Sequence, residues 1–366
     1  MNWTDRCNVE CFFCNNLEKN RAGLELNPKV VERVIREGRS KGLQSVRLSG
    51  GGEPLFHSHL KELLDILKLH KVRIENLTTN GLCLTRANGQ SLIEAGLDEI
   101  IFSLNYADRY SYAEGMRTRP ENFERSIQGV QTLFDTAAGM QKPLPVLIVA
   151  FSICRQTRKD IPRMYEIGLR LNADRIAFRN LHGIAQSQDL TNSDMEWLLL
   201  DLGRLIDQEN DLSRLEFRFS NPVLQDYCME KIAPRIDKSH VNAEVGSVRH
   251  CSVPWYSLGI RGNGDVYPCC NLLLDGPFPP LGNVNCQSLE EIWGGEPFRR
   301  FRQEMESVAL LVNTESTLAD RIGILPPVCS TPHACFLCDH LSDDDFYEEA
   351  LRIRRKRRSV WARLWS

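Results

Sequence analysis

The sequence predicts an α/β fold built from parallel strands and helices, followed by a smaller cysteine-rich α+β region. Short runs rich in β-branched residues alternate with amphipathic segments through the first two thirds of the chain. Such alternation is typical of βαβ units, and therefore of a barrel or an open parallel sheet. After about residue 245 the pattern gives way to short segments with many prolines and clustered cysteines, which indicates a second domain.

Each predicted strand is a short run with β-branched residues, and each predicted helix carries apolar side chains three or four positions apart. The strands are expected at Gln44–Ser49, Val72–Thr78, Glu99–Leu104, Pro145–Phe151 and Arg175–Arg179. The clearest helical stripes follow Phe123, Ile127, Val130 and Phe134, then Ile161, Met164, Gly168 and Leu171, then Met195, Leu198, Leu199, Leu202, Leu205 and Ile206. We divide the chain into an α/β domain (1–215), a linker (216–245), a cysteine-rich domain (246–345) and a basic tail (346–366).

Composition narrows the possible classes of function. The 366 residues are 42% hydrophobic and 25% charged, which is an ordinary globular balance. There is no apolar run long enough for a transmembrane helix and no apolar core of a signal peptide at the start, so a cytoplasmic location is expected. Seven of the 45 basic residues lie in 352–363, so the remainder carries 38 basic against 48 acidic residues. This acidic body argues against nucleic-acid binding.

Three cysteines near the start of the chain form the strongest motif. The chain has 13 cysteines, and in a reducing compartment metal or redox chemistry is the usual reason for so many. Cys7, Cys11 and Cys14 fall within eight residues. Three such thiolates hold three irons of a [4Fe–4S] cluster and leave the fourth iron open for a ligand. The spacing alone also allows an incomplete zinc site or buried cysteines without a metal.

This Cys-x3-Cys-x2-Cys spacing resembles the cluster-binding motif of the radical S-adenosylmethionine (SAM) superfamily. Phe13 matches the aromatic position that these enzymes place against the adenine of SAM. Residues 49–54, Ser-Gly-Gly-Gly-Glu-Pro, resemble the family's GGE motif, which meets the SAM amino group. Glycines allow the backbone to approach a ligand closely, and a carboxylate suits an ammonium group. The resemblance implies a partial (β/α)6 TIM-like barrel, open on one side, with its site at the carboxyl ends of the strands.

The resemblance also implies which residues contact SAM. Asn80 ends one predicted strand, and Ser103 and Asn105 end the next, where the family often has Ser-x-Asp. Arg117 matches a common arginine that pairs with the SAM carboxylate, and a surface arginine is the alternative. The expected cofactor-binding residues are Phe13, Gly51, Gly52, Glu53, Asn80, Ser103, Asn105 and Arg117.

A second set of cysteines lies in the C-terminal region and resembles the SPASM/twitch extension, which holds auxiliary iron–sulfur clusters. Residues 251–338 contain seven cysteines, whereas two fully ligated clusters need about eight, so one auxiliary [4Fe–4S] cluster is expected. The expected ligands are Cys251, Cys269, Cys335 and Cys338, with Cys270 or Cys329 as substitutes and zinc as an alternative metal. The remaining cysteines, Cys83, Cys154, Cys228 and Cys286, are expected to be small buried hydrophobic residues. Residues 262–265 predict a hairpin turn before a strand at Val266–Tyr267, and residues 288–293 lead into a helix.

Candidate catalytic or substrate-contacting residues follow one barrel strand: Arg179, Asn180 and His182. Tyr106 and Asp108 are placed similarly. In the superfamily, SAM is cleaved reductively to methionine and a 5′-deoxyadenosyl radical that removes a hydrogen atom from the substrate. An auxiliary cluster with four cysteine ligands has no open iron, so the resemblance implies an electron acceptor or relay and a net oxidation. The closest functional analogy is 2-deoxy-scyllo-inosamine dehydrogenase, a twitch enzyme that oxidises a secondary alcohol.

Three functions stay open at this point. The first is oxidation or rearrangement of a small molecule, such as a sugar, cyclitol or nucleoside, in a dehydrogenase-like reaction of natural-product biosynthesis. The second is radical modification of a ribosomally synthesised peptide, ranked lower because the chain starts at the cluster loop without a preceding peptide-recognition domain. The third is a non-catalytic iron–sulfur or zinc scaffold, which the SAM motifs disfavour.

Expected partners are the substrate and an electron donor such as flavodoxin or ferredoxin. The basic tail is a candidate contact for a membrane surface or an acidic partner, because Trp361 and Trp365 lie among its arginines. A solvated charged helix is the favoured interpretation of the tail.

Overall fold

Six parallel strands form the main sheet of the computed structural model, in the order of the sequence. They are β1 (Ser45–Leu48), β2 (Arg73–Thr79), β3 (Glu99–Ser103), β4 (Val146–Ile153), β5 (Arg175–Asn180) and β6 (Leu215–Arg218). Each strand pairs in parallel with the next, as strand–helix–strand connections require. The parallel α/β architecture is confirmed, and the five predicted strands lie within two residues of their observed bounds.

The structure describes these parts of the chain: 1–14, 23–180, 190–211, 214–218, 227–228, 231, 253–269 and 278–312. The chain forms two compact units. The barrel unit comprises residues 4–25 and 44–241, and the second unit comprises residues 1–3, 26–43 and 242–366.

Helices follow the strands along the chain, and local sequence signals fix their ends. They are α1 (Pro28–Ser40), α2 (Leu60–Leu69), α3 (Arg86–Glu94), α4 (Arg109–Gly115), α5 (Glu121–Gly139), α6 (Ile161–Arg170), α7 (Asn192–Gln208), α8 (Leu289–Trp293) and α9 (Glu296–Val312). The Asp108 carboxylate caps α4 by accepting from two backbone N–H groups, and Thr191 and Asp194 form a capping box at α7. Among the described helices, there is none that is both long and apolar enough to cross a membrane.

One face of the sheet carries an apolar layer and a chain of charges. Ile101, Ile148, Ala150 and Ala177 form a buried cluster on β3, β4 and β5. Alternation along the strands places charged residues two positions away on the same face. Arg175 forms ion pairs with Glu99 and with Glu216, and Arg179 forms an ion pair with Glu216 at 3.1 Å. The row of charges Glu99–Arg175–Glu216–Arg179 therefore crosses β3, β5 and β6.

Strand β6 continues past the end of the α/β domain that the sequence suggested, residue 215. Leu215 and Phe217 are buried, and the Phe217 ring stacks on Phe178 with centroids 5.7 Å apart. Glu216 and Arg218 alternate with these two apolar residues along the strand. The first residues of the predicted linker (216–245) therefore belong to the sheet.

The second unit contains a small antiparallel sheet and three of the helices. Its strands are β7 (Gly259–Ile260), β8 (Asp265–Tyr267) and β9 (Gly282–Asn283). Gly264 has φ of +87° in the turn before β8, which confirms the predicted hairpin. Helix α8 begins with a capping box between Ser288 and Glu291. It contacts α1, whose Glu37 carboxylate accepts a hydrogen bond from the Leu289 N–H at 2.8 Å.

Candidate functional site

The loop that carries Cys7, Cys11 and Cys14 (the cluster loop, residues 7–14) lies on the C-terminal end of α4. The backbone N–H of Glu10 donates to the Met116 carbonyl at 3.2 Å, and that of Phe12 donates to the Gly115 carbonyl at 3.0 Å. The last carbonyls of a helix have no partner within the helix, so they are free to accept from another segment. The C-terminus of α4 therefore holds the cluster loop by its backbone.

The three thiols fit an iron–sulfur cluster better than a single metal ion. Each is half-buried, and within the described residues there is no group of three or more His, Cys, Asp or Glu side chains that could hold a single ion. A cubane cluster offers each thiolate a different iron, so its ligands lie farther apart. Burial, and then the charge of Glu53, raise the pKa of Cys7 to about 12, so a bound cation is needed to hold it as a thiolate.

The glycine-rich loop, residues 49–54, runs against the segment that leads into the cluster loop. Its backbone N–H groups at Gly52 and Glu53 donate to the carbonyls of Thr4 and Arg6 at 3.1 and 2.9 Å. A Cβ atom on Gly52 would lie 2.0 Å from the Arg6 carbonyl oxygen. Only glycine fits at this position. The predicted close approach of the backbone therefore exists, and its partner in this structure is the backbone of Arg6. Gly51 has φ of +58°, which glycine adopts without strain.

The Glu53 carboxylate is buried and joins the glycine-rich loop to the end of β2. It accepts hydrogen bonds from Thr79 Oγ1 at 2.8 Å, from the Asn80 N–H at 2.8 Å and from the Leu55 N–H at 3.2 Å. A carboxylate offers about four acceptor positions, so the described residues leave one for a ligand such as the SAM ammonium group. Burial raises the pKa of Glu53 to about 7, and the three hydrogen bonds oppose that rise.

Asn80 joins the end of β2 to the cluster loop. Its Nδ2 donates to Asn8 Oδ1 at 2.7 Å, and Asn8 Nδ2 in turn contacts Cys83 Sγ at 3.4 Å. Cys83, expected to be a buried hydrophobic residue, is half-buried and lies near the charges of Glu53 and Cys7. Asn8 and Cys83 are thus neighbours of the site that motif analysis missed. The sequence did offer one signal for Cys83, because this residue lies three positions after Asn80 at the end of a predicted strand.

The last residues of β3 and the turn after it are also at this edge of the sheet. Asn105 has φ of +63° and accepts a hydrogen bond from Ser152 Oγ at 2.8 Å. Its Nδ2 donates to the Ser103 carbonyl at 3.3 Å. Arg117 is exposed directly after α4, and its guanidinium opposes the rise in the pKa of Cys11 that burial causes. The structure therefore brings Ser103, Asn105 and Arg117 to the edge where the cluster loop lies, as the resemblance implies.

An aromatic pair lines the cluster loop. The Phe13 ring lies 6.3 Å from that of Tyr106, which is 1% exposed. A Cβ atom on Gly115 would lie 1.9 Å from the Tyr106 hydroxyl, so the tyrosine fills the space beside the end of α4. The contact of Phe13 with adenine stays a prediction, as do the SAM contacts of the other candidate residues.

The candidate substrate residues lie at the end of β5 and directly after it. Arg179 is paired with Ser152 of β4 in register, and its side chain keeps 32% of its surface exposed beside Glu216. Asn180 ends the strand opposite Ile153. His182 lies outside the described residues. Asp108 caps α4, which accounts for this carboxylate without a catalytic role.

The C-terminal cysteines are described only in part. Cys269 is half-buried, two residues after β8. Cys251, Cys270, Cys329, Cys335 and Cys338 lie outside the described residues, so the auxiliary ligand set stays a prediction. Cys154 and Cys228 are buried as expected. Cys286 is exposed, so its prediction as a buried residue was wrong; its Sγ lies in the turn after β9, 3.5 Å from the Asn283 carbonyl.

Comparison with known proteins agrees with this geometry. The chain is 28% identical to the PqqA peptide cyclase of Granulibacter bethesdensis over 309 residues, which are 82% of this chain and 74% of the relative. It is 33% identical to a probable GTP 3′,8-cyclase of Methanosarcina mazei over 134 residues, which are 35% of this chain and only 39% of that relative. The crystal structure of Streptococcus suis SuiB bound to precursor peptide SuiA matches with a TM-score of 0.59 at 20% identity. That match covers 81% of this chain and 64% of SuiB.

Two family matches cover the two parts of the molecule. Residues 1–166 match the radical SAM superfamily, and residues 251–312 match the SPASM iron–sulfur cluster-binding domain. The first match contains the cluster loop, the glycine-rich loop and the ends of β2 and β3. The chain is therefore a member of the radical SAM superfamily, with [4Fe–4S] and SAM as cofactors and a C-terminal SPASM domain for auxiliary iron–sulfur chemistry.

Proposed function

We propose that this radical SAM enzyme modifies a peptide. The similarity to PqqA peptide cyclase carries the proposal, because it extends over 82% of this chain. A stretch of that length includes parts of both the radical SAM domain and the SPASM domain. The SuiB structure, which has a similar fold, is bound to a precursor peptide, so this architecture accommodates a peptide substrate.

Oxidation of a small molecule, the first function expected from the sequence, has less support than its peptide alternative. The match to a GTP 3′,8-cyclase spans 134 residues, a length that the radical SAM domain alone accommodates. It therefore supports the shared SAM chemistry more than a shared nucleotide substrate. The similarity that extends over most of the chain is to a peptide cyclase, so we replace the dehydrogenase-like reaction with peptide modification.

The residues of the barrel unit have distinct tasks in this proposal. Cys7, Cys11 and Cys14 hold three irons of the cluster, and Glu53 offers its open acceptor position to the SAM ammonium group. When bound, the cluster and SAM supply the radical that removes a hydrogen atom from the substrate, and the SPASM domain supplies an acceptor for the remaining electron. Phe13 and Tyr106 form an apolar wall beside the cluster loop. This wall excludes water from the site.

Arg179 is the candidate contact for the peptide. In the row Glu99–Arg175–Glu216–Arg179, Arg175 lies between two carboxylates, whereas Arg179 shares Glu216 with Arg175. The charge of Arg179 is therefore incompletely balanced within the row, and its side chain is one-third exposed (32%). A guanidinium in this state favours a carboxylate, with which it forms paired hydrogen bonds. We expect the segment of peptide that binds here to carry an acidic group.

The decisive experiment uses the anaerobically reconstituted full chain with SAM, dithionite and synthetic peptides. The peptides correspond to short open reading frames beside the gene, deuterated at their side chains. Mass spectrometry should detect a peptide that loses two hydrogens and should detect deuterium in 5′-deoxyadenosine. The matched control is the Cys7→Ala/Cys11→Ala/Cys14→Ala chain, which should give neither product.

A panel of sugars, cyclitols and nucleosides provides the competing outcome. If the chain transfers deuterium from one of these and leaves every peptide unchanged, peptide modification is wrong and the small-molecule function is restored. If a peptide is modified, the Arg179→Gln variant should separate an effect on peptide binding from an effect on the chemical step. For an acidic peptide it should raise KM about tenfold or more with a smaller change in kcat, since a lost charge-assisted contact is worth about 1.5–3 kcal/mol.

A further inference from the structure

A methionine lies against one of the cluster-binding cysteines. Met116 Sδ is 3.4 Å from Cys11 Sγ, and Met116 is only 1% exposed. Neither sequence motif includes this residue. A thioether is soft and polarizable, and it packs readily against other sulfur atoms and rings. The contact places it directly beside a ligand of the first cluster.

The backbone fixes the position of this methionine. The Met116 carbonyl accepts from the Glu10 N–H in the cluster loop, and the Met116 N–H donates to the Tyr112 carbonyl at 2.8 Å. The neighbouring Gly115 has no room for a side chain, because the Tyr106 ring fills that space. Arg117 has φ of +47°, so the helix ends directly after Met116. The methionine therefore has little freedom to move away from Cys11.

Asn105 holds the thioether from the other side. Its Nδ2 lies 3.7 Å from Met116 Sδ, while its Oδ1 accepts from Ser152 Oγ of β4. Asparagine tolerates a positive φ better than most residues, which suits its φ of +63°. An aspartate at this position, as the family often has, would lack the N–H donors that face the sulfur and the Ser103 carbonyl. Asn105 thus replaces the aspartate of Ser-x-Asp at a position where its amide N–H group contacts the Met116 sulfur, which a carboxylate cannot do.

We propose that Met116 is a positioning residue for the first cluster and that Asn105 fixes its thioether against Cys11. The path Ser152–Asn105–Met116–Cys11 joins the sheet to a cluster ligand by four side chains in succession. The potential of an iron–sulfur cluster depends on the groups around its sulfur ligands. The amide at position 105 therefore influences the cluster through the methionine. This inference concerns the cluster alone and stands independently of the peptide proposal.

The test compares Met116→Leu with Met164→Leu in the reconstituted full chain. Both methionines are buried, and both substitutions keep the volume nearly constant, but Met164 lies on α6 and is no part of the path. Electron paramagnetic resonance is recorded on the reduced protein with and without SAM, because only the first cluster responds to SAM. Met116→Leu should keep the iron content, change the g values of the SAM-responsive signal and change its equilibrium constant for reduction at least threefold. Met164→Leu should match the wild type.

Two further variants test the role of Asn105. Asn105→Gly tolerates the positive φ and removes the amide, so it should shift the potential in the same direction as Met116→Leu. In the Asn105→Gly/Met116→Leu chain the two shifts should fail to add, since they act on one contact. Additive shifts would remove Asn105 from the proposal. If the signal and potential of Met116→Leu equal those of the wild type, or if Met164→Leu changes them equally, the positioning role of Met116 is wrong.

Discussion

Asn80 donates a hydrogen bond from its side-chain amide to Asn8 Oδ1 at 2.7 Å, and this bond joins the end of β2 to the cluster loop. The same residue is tied to the glycine-rich loop, because its backbone N–H donates to the Glu53 carboxylate at 2.8 Å. One asparagine therefore connects the two loops that the family uses for the cluster and for SAM.

Replacing Asn80 with alanine should loosen the cluster loop. The change leaves Asn8 Oδ1 without this donor, which costs about 1–3 kcal/mol for a buried group. We expect faster loss of iron during anaerobic gel filtration and SAM binding weakened about tenfold, the equivalent of about 1.4 kcal/mol. Asn76→Ala is the matched control, because Asn76 lies on β2, which ends just before Asn80, and donates to Glu99 at 3.0 Å. Equal iron loss from both variants would contradict a specific role for Asn80.

Replacing Cys7, Cys11 and Cys14 together with alanine should abolish reductive cleavage of SAM to 5′-deoxyadenosine, measured by chromatography. The iron content should fall from about eight to about four per chain, since each cluster holds four irons. Continued cleavage in this variant would refute the assignment of the first cluster. A wild-type content near twelve would mean two auxiliary clusters instead of one.

Gly52→Ala should disrupt the site through the backbone. The new Cβ would lie 2.0 Å from the Arg6 carbonyl oxygen, so the glycine-rich loop and the segment before Cys7 must separate. We expect lower thermal stability and loss of SAM binding. Gly139→Ala is the control, because an added Cβ there has no neighbouring atom within 4 Å, and alanine at a helical position is neutral or slightly stabilising. Normal SAM binding by Gly52→Ala would contradict the close packing of the two segments.

The buried Glu53 carboxyl should give the metal-free chain a distinctive pH dependence. Burial raises its folded-state pKa from 4.5 to about 7, so the protonated form is favoured by folding. Its contribution to stability is fully present below the unfolded pKa and is lost as the pH rises through 7. Relative to Glu53→Gln, the wild type should lose about 1–3 kcal/mol of unfolding free energy between pH 4.5 and 7.5 in guanidinium titrations. A constant difference across this range would show that the carboxyl is ordinarily acidic.

The basic tail, residues 346–366, gives a prediction from the sequence alone. Its seven basic side chains and the tryptophans at 361 and 365 suit an anionic membrane surface. The membrane contact, which is the alternative to the favoured solvated helix, predicts that full-length chain sediments with anionic liposomes at low salt and is released at high salt, because screening weakens the attraction. Deleting residues 352–366 should abolish sedimentation. Unchanged sedimentation after the deletion, or none at the outset, contradicts the membrane contact and leaves a solvated charged segment.

Sequence patterns predicted the elements that follow simple periodicity. The first five strands of the main sheet and the hairpin before β8 were found, because their signals are local. Strand β6, four residues long, was missed, and the ion pair of its Glu216 joins Arg175 on another strand. Long-range pairing of this kind leaves no local trace in the sequence.

The residues of the functional site divide in the same way, into those that local motifs predict and those that only the fold brings together. Cys7, Cys11, Cys14 and Glu53 belong to short motifs with fixed spacing, so they could be named from the sequence. Met116 could not, since its importance arises from a contact with Cys11 across 105 positions of sequence. The reason for an amide at Asn105 was equally hidden until Ser152 and Met116 were seen on either side of it.

The pairing of α1 with α8 has a consequence for how the chain is made. Helix α1 is made before the residues that it binds. The Glu37 carboxylate accepts from the Leu289 N–H, and Arg33 donates to the Gln287 carbonyl at 3.1 Å. Some 250 residues must be synthesised in between, so this unit completes only after α8 has been made. A fragment ending before residue 287 would lack the backbone groups that pair with Glu37 and Arg33 of α1.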